Sequence, residues 1–493
     1  MRLVPEAVAI LRQAARRSRR TCYLVGGALR DGLLKRPVSD LDLAAHAPLA
    51  LARALAADLK GKLIVLDEGN AVYRITLREN YKFIRQVDVA AISGPDIATD
   101  LSRRDFTINA LALPLGYAMS ATVLARQILD PRKGLADISR GLLRAESGRL
   151  FKDDPLRLLR AFRIAAQLNF KIEPGTLRLI GKLRNLARRP AGERISAELL
   201  ALLALPGSSR WLKLMDECRL LTSLFKALEP ARRCALVYYG PGGVLRHSLE
   251  TAARADFLLH HLKQVFPAQA KAIAACLESN ARGGAAQSAV LMLAALLHDI
   301  AKPATAKKRE GRLRFFGHDA RGAKKAAEIL RGLKFSRHHI ETVSTVIAQH
   351  LRPGNLAASG VVTDKAAYRF FRDLGDKALS LLLVCWADHA SYLPQRRLLK
   401  LLNGGRAKSD EEKTMRHLQV VSHLIARLWA AGPKKPIPER IIDGHDVMKA
   451  LKIPPGPLIG KLLEQVREAQ AEGKIRNRAQ ALVYLRKNKD KIR

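Results

Sequence analysis

The chain has 493 residues, 48% of them hydrophobic, with 86 Lys plus Arg against 45 Asp plus Glu and a formal charge of +41. Its length allows about three domains, its composition excludes disorder as the dominant state, and its charge surplus makes a polyanion the first partner to expect. No apolar run exceeds nine residues, Pro5 and Glu6 interrupt any signal peptide, and the five cysteines show no CxxC spacing, so the expectation is a cytoplasmic chain with no membrane partner, disulfide framework or thiolate zinc site.

Through the first 140 residues, short β-branched runs at 21–25, 63–66, 72–77 and 83–90 read as strands between turns and helical stretches, predicting an α/β head. Helical periodicity begins at Pro155, carried by Leu156, Leu159, Phe162, Ile164, Ala165 and Leu168, and continues over 195–203 and 211–224. The glycine- and proline-rich stretch 238–243 reads as a linker. Helical pattern resumes over 247–402, and a basic stretch at 403–413 leads to a last helical segment with proline helix starts at 433–438 and 454–457. The expected fold class is α+β: a small α/β head over 1–140, then mostly helical neck (141–238), third (239–402) and tail (403–493) domains.

The most informative stretch is Tyr-Leu-Val-Gly-Gly-Ala-Leu-Arg-Asp at 23–31, followed by Ser-Asp-Leu-Asp-Leu at 39–43. After the first strand, Gly26 and Gly27 let the backbone approach a bulky anion and offer N–H groups to it at a helix start. In a strand Asp40 and Asp42 share one face. Two carboxylates that close need a divalent cation, and oxygen ligands suit Mg²⁺ bridging to a triphosphate. Metal-assisted phosphoryl transfer is the chemistry this predicts, with Asp88 in a later strand as a third carboxylate.

Gly26-Gly27-x-x-Arg30-Asp31, then Asp40-x-Asp42, then Arg-Arg-Asp-Phe-Thr-Ile-Asn at 103–109 resembles the bacterial and eukaryotic class (class II) of tRNA CCA-adding nucleotidyltransferases and the related bacterial poly(A) polymerases. The likeness continues through Asp-Pro-Arg-Lys-Gly at 130–134, Asp137, Asp-Asp-Pro-Leu-Arg at 153–157, the helical run 158–170, and 193–198. It implies a polymerase β-like head that adds CMP and AMP from CTP and ATP to the tRNA 3′ end. In that family Asp40 and Asp42 would bind the catalytic Mg²⁺, Arg104, Asp105 and Asn109 would hold the ribose, and Asp154 and Arg157 would read the base edge. Gly26, Gly27, Arg30, Asp31, Arg160 and Arg163 complete the implied nucleotide site. Asp154 and Arg157, three apart, are expected on one face of the Pro155 helix, with Asp153 and Asp154 also suited to its cap.

Two departures matter. Asp153 stands where the family usually has Glu. Only eleven residues separate Asp88 from Asp100, where many CCA-adding members carry a longer loop linked to the switch from C to A. That opens the alternatives of a CC-only or A-only enzyme, and a poly(A) polymerase is a further alternative, although the chain lacks that enzyme's arginine-rich insert before Arg103.

A second constellation follows: His247, His298-Asp299, His318, His350 and Asp388. His298 and Asp299 end the apolar run, where an unpartnered imidazole and carboxylate would be costly, so a metal or a hydrogen-bonded partner is expected, and the ligand types fit a transition metal or Mg²⁺ held between helices. The order resembles the HD phosphohydrolase superfamily and implies metal-dependent phosphoester hydrolysis. An HD phosphohydrolase whose head only delivers RNA is the alternative from another class. The dipeptide His445-Asp446 reads instead as a helix cap. Basic clusters at 16–20, 182–189, 307–314 and 487–493 contain few aromatics, which points to phosphate contacts with a folded RNA such as a tRNA arm, and the helix start at 455–457 offers one more phosphate site.

Overall fold

Alternating apolar and polar residues in the first 115 positions form a six-stranded sheet: β1 (Cys22–Val25), β2 (Asp40–Ala45), β3 (Lys62–Asp67), β4 (Val72–Thr76), β5 (Gln86–Ala91) and β6 (Ala112–Pro114). The strand order is β3-β4-β5-β2-β1-β6; β2 and β5 are parallel, and the other neighbours are antiparallel. Leu24, Leu41, Leu43, Ile75, Val87 and Val89 are buried in one cluster with Ile10 and Leu11 of α1 (Pro5–Arg17) and Leu51 and Leu55 of α3 (Pro48–Asp58). Each such side chain contributes roughly 1.5–3 kcal/mol. The short α2 (Gly27–Leu33) starts directly after β1.

The computed structural model describes residues 3–18, 22–78, 81–117, 123, 125–279, 286–358, 362–430 and 437–488. Thr21 of the first expected strand, Arg19 and Arg20, residues 433–436 and residues 489–493 lie outside the described residues. By internal packing the chain divides into two units, residues 1–190 with 218–220, and residues 191–217 with 221–493.

In the expected head and neck, three expectations differ locally from the fold. β5 begins at Gln86 because the N–H groups of Lys82, Phe83 and Ile84 all donate to the Glu6 carboxylate, at 3.1, 3.3 and 2.9 Å, instead of to a strand. The helix after Pro155 runs over Arg157–Leu168. Asp154 is extended (φ −138°, ψ 96°), as the residue before a proline tends to be, and its Oδ1 accepts from Leu156 N–H at 3.2 Å. It therefore shares no helical face with Arg157. The 211–224 helix is split into Ser208–Glu217 and Leu220–Leu224 by Arg219, whose φ is +60°.

The second unit is built on Gly243–His260, which packs on Gln287–Leu297 and Ala378–Ala390. Both of those helices are apolar on nearly every side and buried. The 238–243 turn lies inside this unit; a Cβ on Gly243 would stand 2.3 Å from the Cys234 carbonyl oxygen. Helical pattern is broken over 307–314 by an antiparallel ribbon, Lys307–Arg309 against Arg312–Arg314. Glu310 and Gly311 turn it at φ +48° and +71°, the backbone of a tight hairpin. In the tail, Asp443 caps Gly444–Leu451, and Asp446 reciprocates with the Asp443 N–H, so the second HD dipeptide is a cap. The helix Pro457–Ala471 starts at its proline as expected. Among the described residues no helix is long and apolar enough to cross a membrane.

Candidate functional site

β2 turns Leu41 and Leu43 into the core, so Asp40 and Asp42 face the other side of the sheet. Parallel pairing sets Asp42 across from Asp88, and antiparallel pairing sets Asp88 across from Arg74. Arg74 grips Asp88 at both oxygens, 2.8 Å from Nε and 2.7 Å from Nη2. Burial, and then the neighbouring Asp88, push the Asp42 carboxyl up to about 6; burial also raises Asp40. Gly26 has φ +71°, and a Cβ there would meet Asp42 Oδ2 at 3.2 Å, so only glycine brings backbone this close. An all-oxygen pair under such electrostatic load fits Mg²⁺.

These carboxylates line a cleft of about 720 Å³ that also includes Gly26, Gly27, Arg30, Asp31, Arg104, Asp105, Asn109, Arg157, Arg160 and Arg163. Asp154 is half-buried and lies outside that lining. Part of the cleft wall is a connected chain: Arg30 Nη1 donates to Asn109 Oδ1 at 2.7 Å, and Asn109 Nδ2 donates to Asp105 Oδ1 at 2.9 Å. Arg160 stands 3.2 Å from Asp105 Oδ2. Burial works to raise the Asp105 carboxyl, but Arg160, Asn109 and the Phe106 N–H together hold it below the usual range. Arg104 is fixed by Asp100 at 2.8 Å, and Asp100 also accepts the Ser93 N–H at 3.0 Å, which ties down the short connection after β5. The resembling stretch at 130–137 supports this wall from behind. Asp130 accepts the Gly134 and Leu135 N–H groups, and Asp137 accepts the Thr107 hydroxyl at 2.7 Å. Sequence reasoning missed Arg36, Ser39 and Gln167 in the lining and Arg74 behind Asp88.

In the second unit His247, His298 and Asp388 form one group, and Asp299, His318 and His350 another; within each, the ligand atoms lie within 4.8 Å of one another. His247 Nε2 is 3.0 Å from Asp388 Oδ1, and His298 Nε2 is 3.2 Å from Asp299 Oδ2. His318 and His350 bring their Nε2 atoms to 3.3 Å of each other and to 3.5 and 3.8 Å of Asp299 Oδ1. The Nδ1 atoms of His298, His318 and His350 bond backbone carbonyls, of Ala295, Phe315 and Ile347, which fixes the rings with Nε2 inward. His247 Nε2, His298 Nε2, both Asp299 oxygens and Asp388 Oδ1 are buried and converge at these short distances without a well-aligned hydrogen bond among them. A buried, convergent set of imidazole nitrogens and carboxylate oxygens fits divalent metal ions. Burial pushes His350 down to about 4, keeping it neutral. Lys302 lies 2.5 Å from Asp299 Oδ2 and donates to Tyr239 Oη at 2.8 Å. Tyr239 stacks on His247 with ring centres 4.7 Å apart. Sequence reasoning misses both, although Lys302 lies only three residues after Asp299.

Family models match four stretches: the poly A polymerase head domain at 22–144, the RNA- and SrmB-binding site of polymerase A at 169–232, the HD domain at 244–393 and tRNA nucleotidyltransferase domain 2 at 411–485. An A-adding tRNA nucleotidyltransferase of Deinococcus radiodurans is 30% identical over 94% of this chain and 94% of its own length. A CC-adding tRNA nucleotidyltransferase of Synechocystis sp. is 29% identical over 94% of this chain and 92% of its own. A CCA-adding enzyme of Limosilactobacillus fermentum is 37% identical, but over 37% of this chain and 45% of its own. A solved CCA-adding enzyme in complex with CTP shares the fold at TM-score 0.66 and 19% identity, covering 99% of this chain and 96% of that one. Because the likeness extends from the head carboxylates through the HD cluster to the tail, the chain belongs to the tRNA nucleotidyltransferase family and is a nucleotidyltransferase.

Proposed function

We propose that the head transfers CMP and AMP from CTP and ATP to the 3′ hydroxyl of tRNA. The 3′ oxygen bonds to the α-phosphorus, the bond to the β-phosphate bridge breaks, and pyrophosphate leaves. The observation that carries this reading is Asp40 and Asp42 on the free face of β2, beside Gly26 and within the arginine-rimmed cleft. Asp40 and Asp42 would hold Mg²⁺, which supplies charge neutralisation for phosphoryl transfer. Gly26 and Gly27 leave the backbone room to approach the triphosphate. Arg104, Asp105 and Asn109 orient the ribose, while Arg157, with Asp154, reads the base and Arg160 and Arg163 add positive charge to the cleft. A cytoplasmic location is part of this reading, and so is the division into head, neck, HD and tail domains, each of which has a family model of its own behind it. Asp40→Ala or Asp42→Ala should abolish incorporation while tRNA binding survives; turnover near wild type in either variant would sink the assignment.

A second reading, an enzyme adding only CC or only A, is favoured by two observations. Two relatives that match over 94% of the chain are named for those partial activities, and the connection from β5 to Ile97–Arg103 is short and tied by Asp100. Product length on tRNA lacking its 3′ end, with CTP alone, ATP alone and both, separates the two readings and a poly(A) polymerase from either.

The HD cluster is proposed as a divalent-metal phosphohydrolase, supported by its two groups of convergent, buried Nε2 and Oδ atoms. Metal-dependent phosphate release from a 2′,3′-cyclic nucleotide, lost in Asp299→Ala, would bear this out; no release with any of Mg²⁺, Mn²⁺, Co²⁺ or Ni²⁺ would end it.

A further inference from the structure

The basic cluster 307–314 is a ribbon whose charges oppose one another directly. Its register pairs Arg312 with Arg309 and Arg314 with Lys307, and directly opposed residues share a face. Four cations thus crowd one exposed face, and among the described residues no carboxylate forms an ion pair with any of them. Like charges opposed across a ribbon are destabilising, so the face is built for an anion that comes from outside.

Aromatics absent from the cluster in sequence reach it in space. Phe316 is 67% exposed, with the Arg309 guanidinium 5.3 Å from its ring centre. Tyr238, half exposed, donates from its hydroxyl to the Leu313 carbonyl at 3.0 Å. A cavity of about 820 Å³ runs from Phe316, Arg312 and Arg314 to Lys302 and His318, which belong to the HD cluster. Cations for phosphates, an aromatic ring for a base and a path to a phosphoester centre specify one kind of occupant. Stacking on an aromatic side chain requires an unpaired base, so the strand is single.

We propose that the 307–314 ribbon, with Phe316 and Tyr238, is a docking surface for a single-stranded RNA end, which it feeds as a terminal phosphoester into the HD cluster. The proposal rests on the phosphohydrolase reading of that cluster. In the reaction, water supplies the oxygen that bonds to phosphorus, one P–O ester bond breaks, and the leaving alkoxide takes up a proton; no oxidant or reductant is needed. The folded RNA contacts expected for this cluster from its sequence give way to a single strand, because Phe316 and Tyr238 stand beside it.

The test uses the full chain with Mn²⁺ and two substrates: a short RNA ending in a 2′,3′-cyclic phosphate, and bis(p-nitrophenyl) phosphate, which has no base and no further phosphate. Phe316→Ala and the double variant Arg312→Gln with Arg314→Gln should each lower the ratio of kcat/KM on RNA to kcat/KM on the small ester by about tenfold. An unchanged ratio overturns the proposal. If the wild-type protein hydrolyses neither substrate, the phosphohydrolase reading fails by itself, and the surface is judged by photocrosslinking an RNA with 4-thiouridine near its end. Crosslinks to the peptide containing Phe316, diminished in the double arginine variant, support the surface; crosslinks confined to other peptides overturn it.

Discussion

Asp88 stands across the parallel β2·β5 pairing from Asp42, yet both its oxygens are held by Arg74 from the neighbouring strand, at 2.8 and 2.7 Å. The row Arg74–Asp88–Asp42 crosses three strands on one face. Arg74 therefore competes with any cation that Asp88 would help to hold. Arg74→Gln removes that competitor and leaves the carboxylate free, so the Mg²⁺ concentration for half-maximal CMP incorporation should fall by about three- to tenfold. A Mg²⁺ titration of wild type and variant checks this; unchanged half-saturation would mean that the ion pair only holds the sheet together.

Asp42 carries a stability cost that metal binding would relieve. Its carboxyl sits at about 6 when folded, against an ordinary value of 3.8, so the folded state binds this proton more tightly than the unfolded one. The group's stabilising effect is complete below pH 3.8 and is lost as pH rises through 6. In EDTA, Asp42→Asn should stabilise the protein at pH 7 by about 1–3 kcal/mol, with the gain vanishing toward pH 4. Denaturant unfolding of both proteins at the two pH values gives the answer, and a gain that is equal at both would show that charge is not its source.

How much could be read beforehand depended on the range of the cause. The shared face of Asp40 and Asp42 follows from the two-residue strand period, and the helix after Gly26 from a local turn, so both were legible. The HD ligands were legible as residue types, since an apolar helix ending in His298-Asp299 needs partners. Arg74 was not, because its pairing with Asp88 is fixed by sheet register fourteen residues away. The 307–314 ribbon was missed because its strands are three residues each, too short for a period to register, although Glu310-Gly311 marks the turn. Asp154 leaves the helix face because a proline follows it, a local signal that the sequence itself carries.

The HD cluster should bind metal more tightly as pH rises. Burial opposes charge on His298, but Asp299 and Asp388 outweigh it and lift the imidazole above its ordinary 6.5. In the metal-free protein His298 is thus protonated at neutral pH, and a metal must displace that proton. Affinity for Mn²⁺ should therefore keep climbing past pH 7, by about tenfold per pH unit for one proton released. Calorimetry in buffers of different ionisation enthalpy measures the proton count. Metal at about 100 times its Kd should also stabilise wild type by about 2.7 kcal/mol, and leave Asp388→Asn nearly unmoved. Zero proton release would place His298 outside the ligand set.

Base choice should depend on Arg157 and Asp154 in separable ways. Arg157 lines the cleft, and its guanidinium is steadied by the Leu150 and Arg103 carbonyls at 3.3 and 3.4 Å. Arg157→Ala removes a fixed donor pair from the base edge, so kcat/KM for CTP and ATP over GTP and UTP should fall by about tenfold or more. Asp154 also caps the Leu156 N–H, so Asp154→Ala would mix lost recognition with about 1 kcal/mol of lost local stability. Asp154→Asn keeps an acceptor for that N–H while turning one oxygen into a donor group. Selectivity among the four triphosphates should therefore shift with the Tm unchanged. If both variants slow all four substrates equally, these residues position the cleft and something else reads the base.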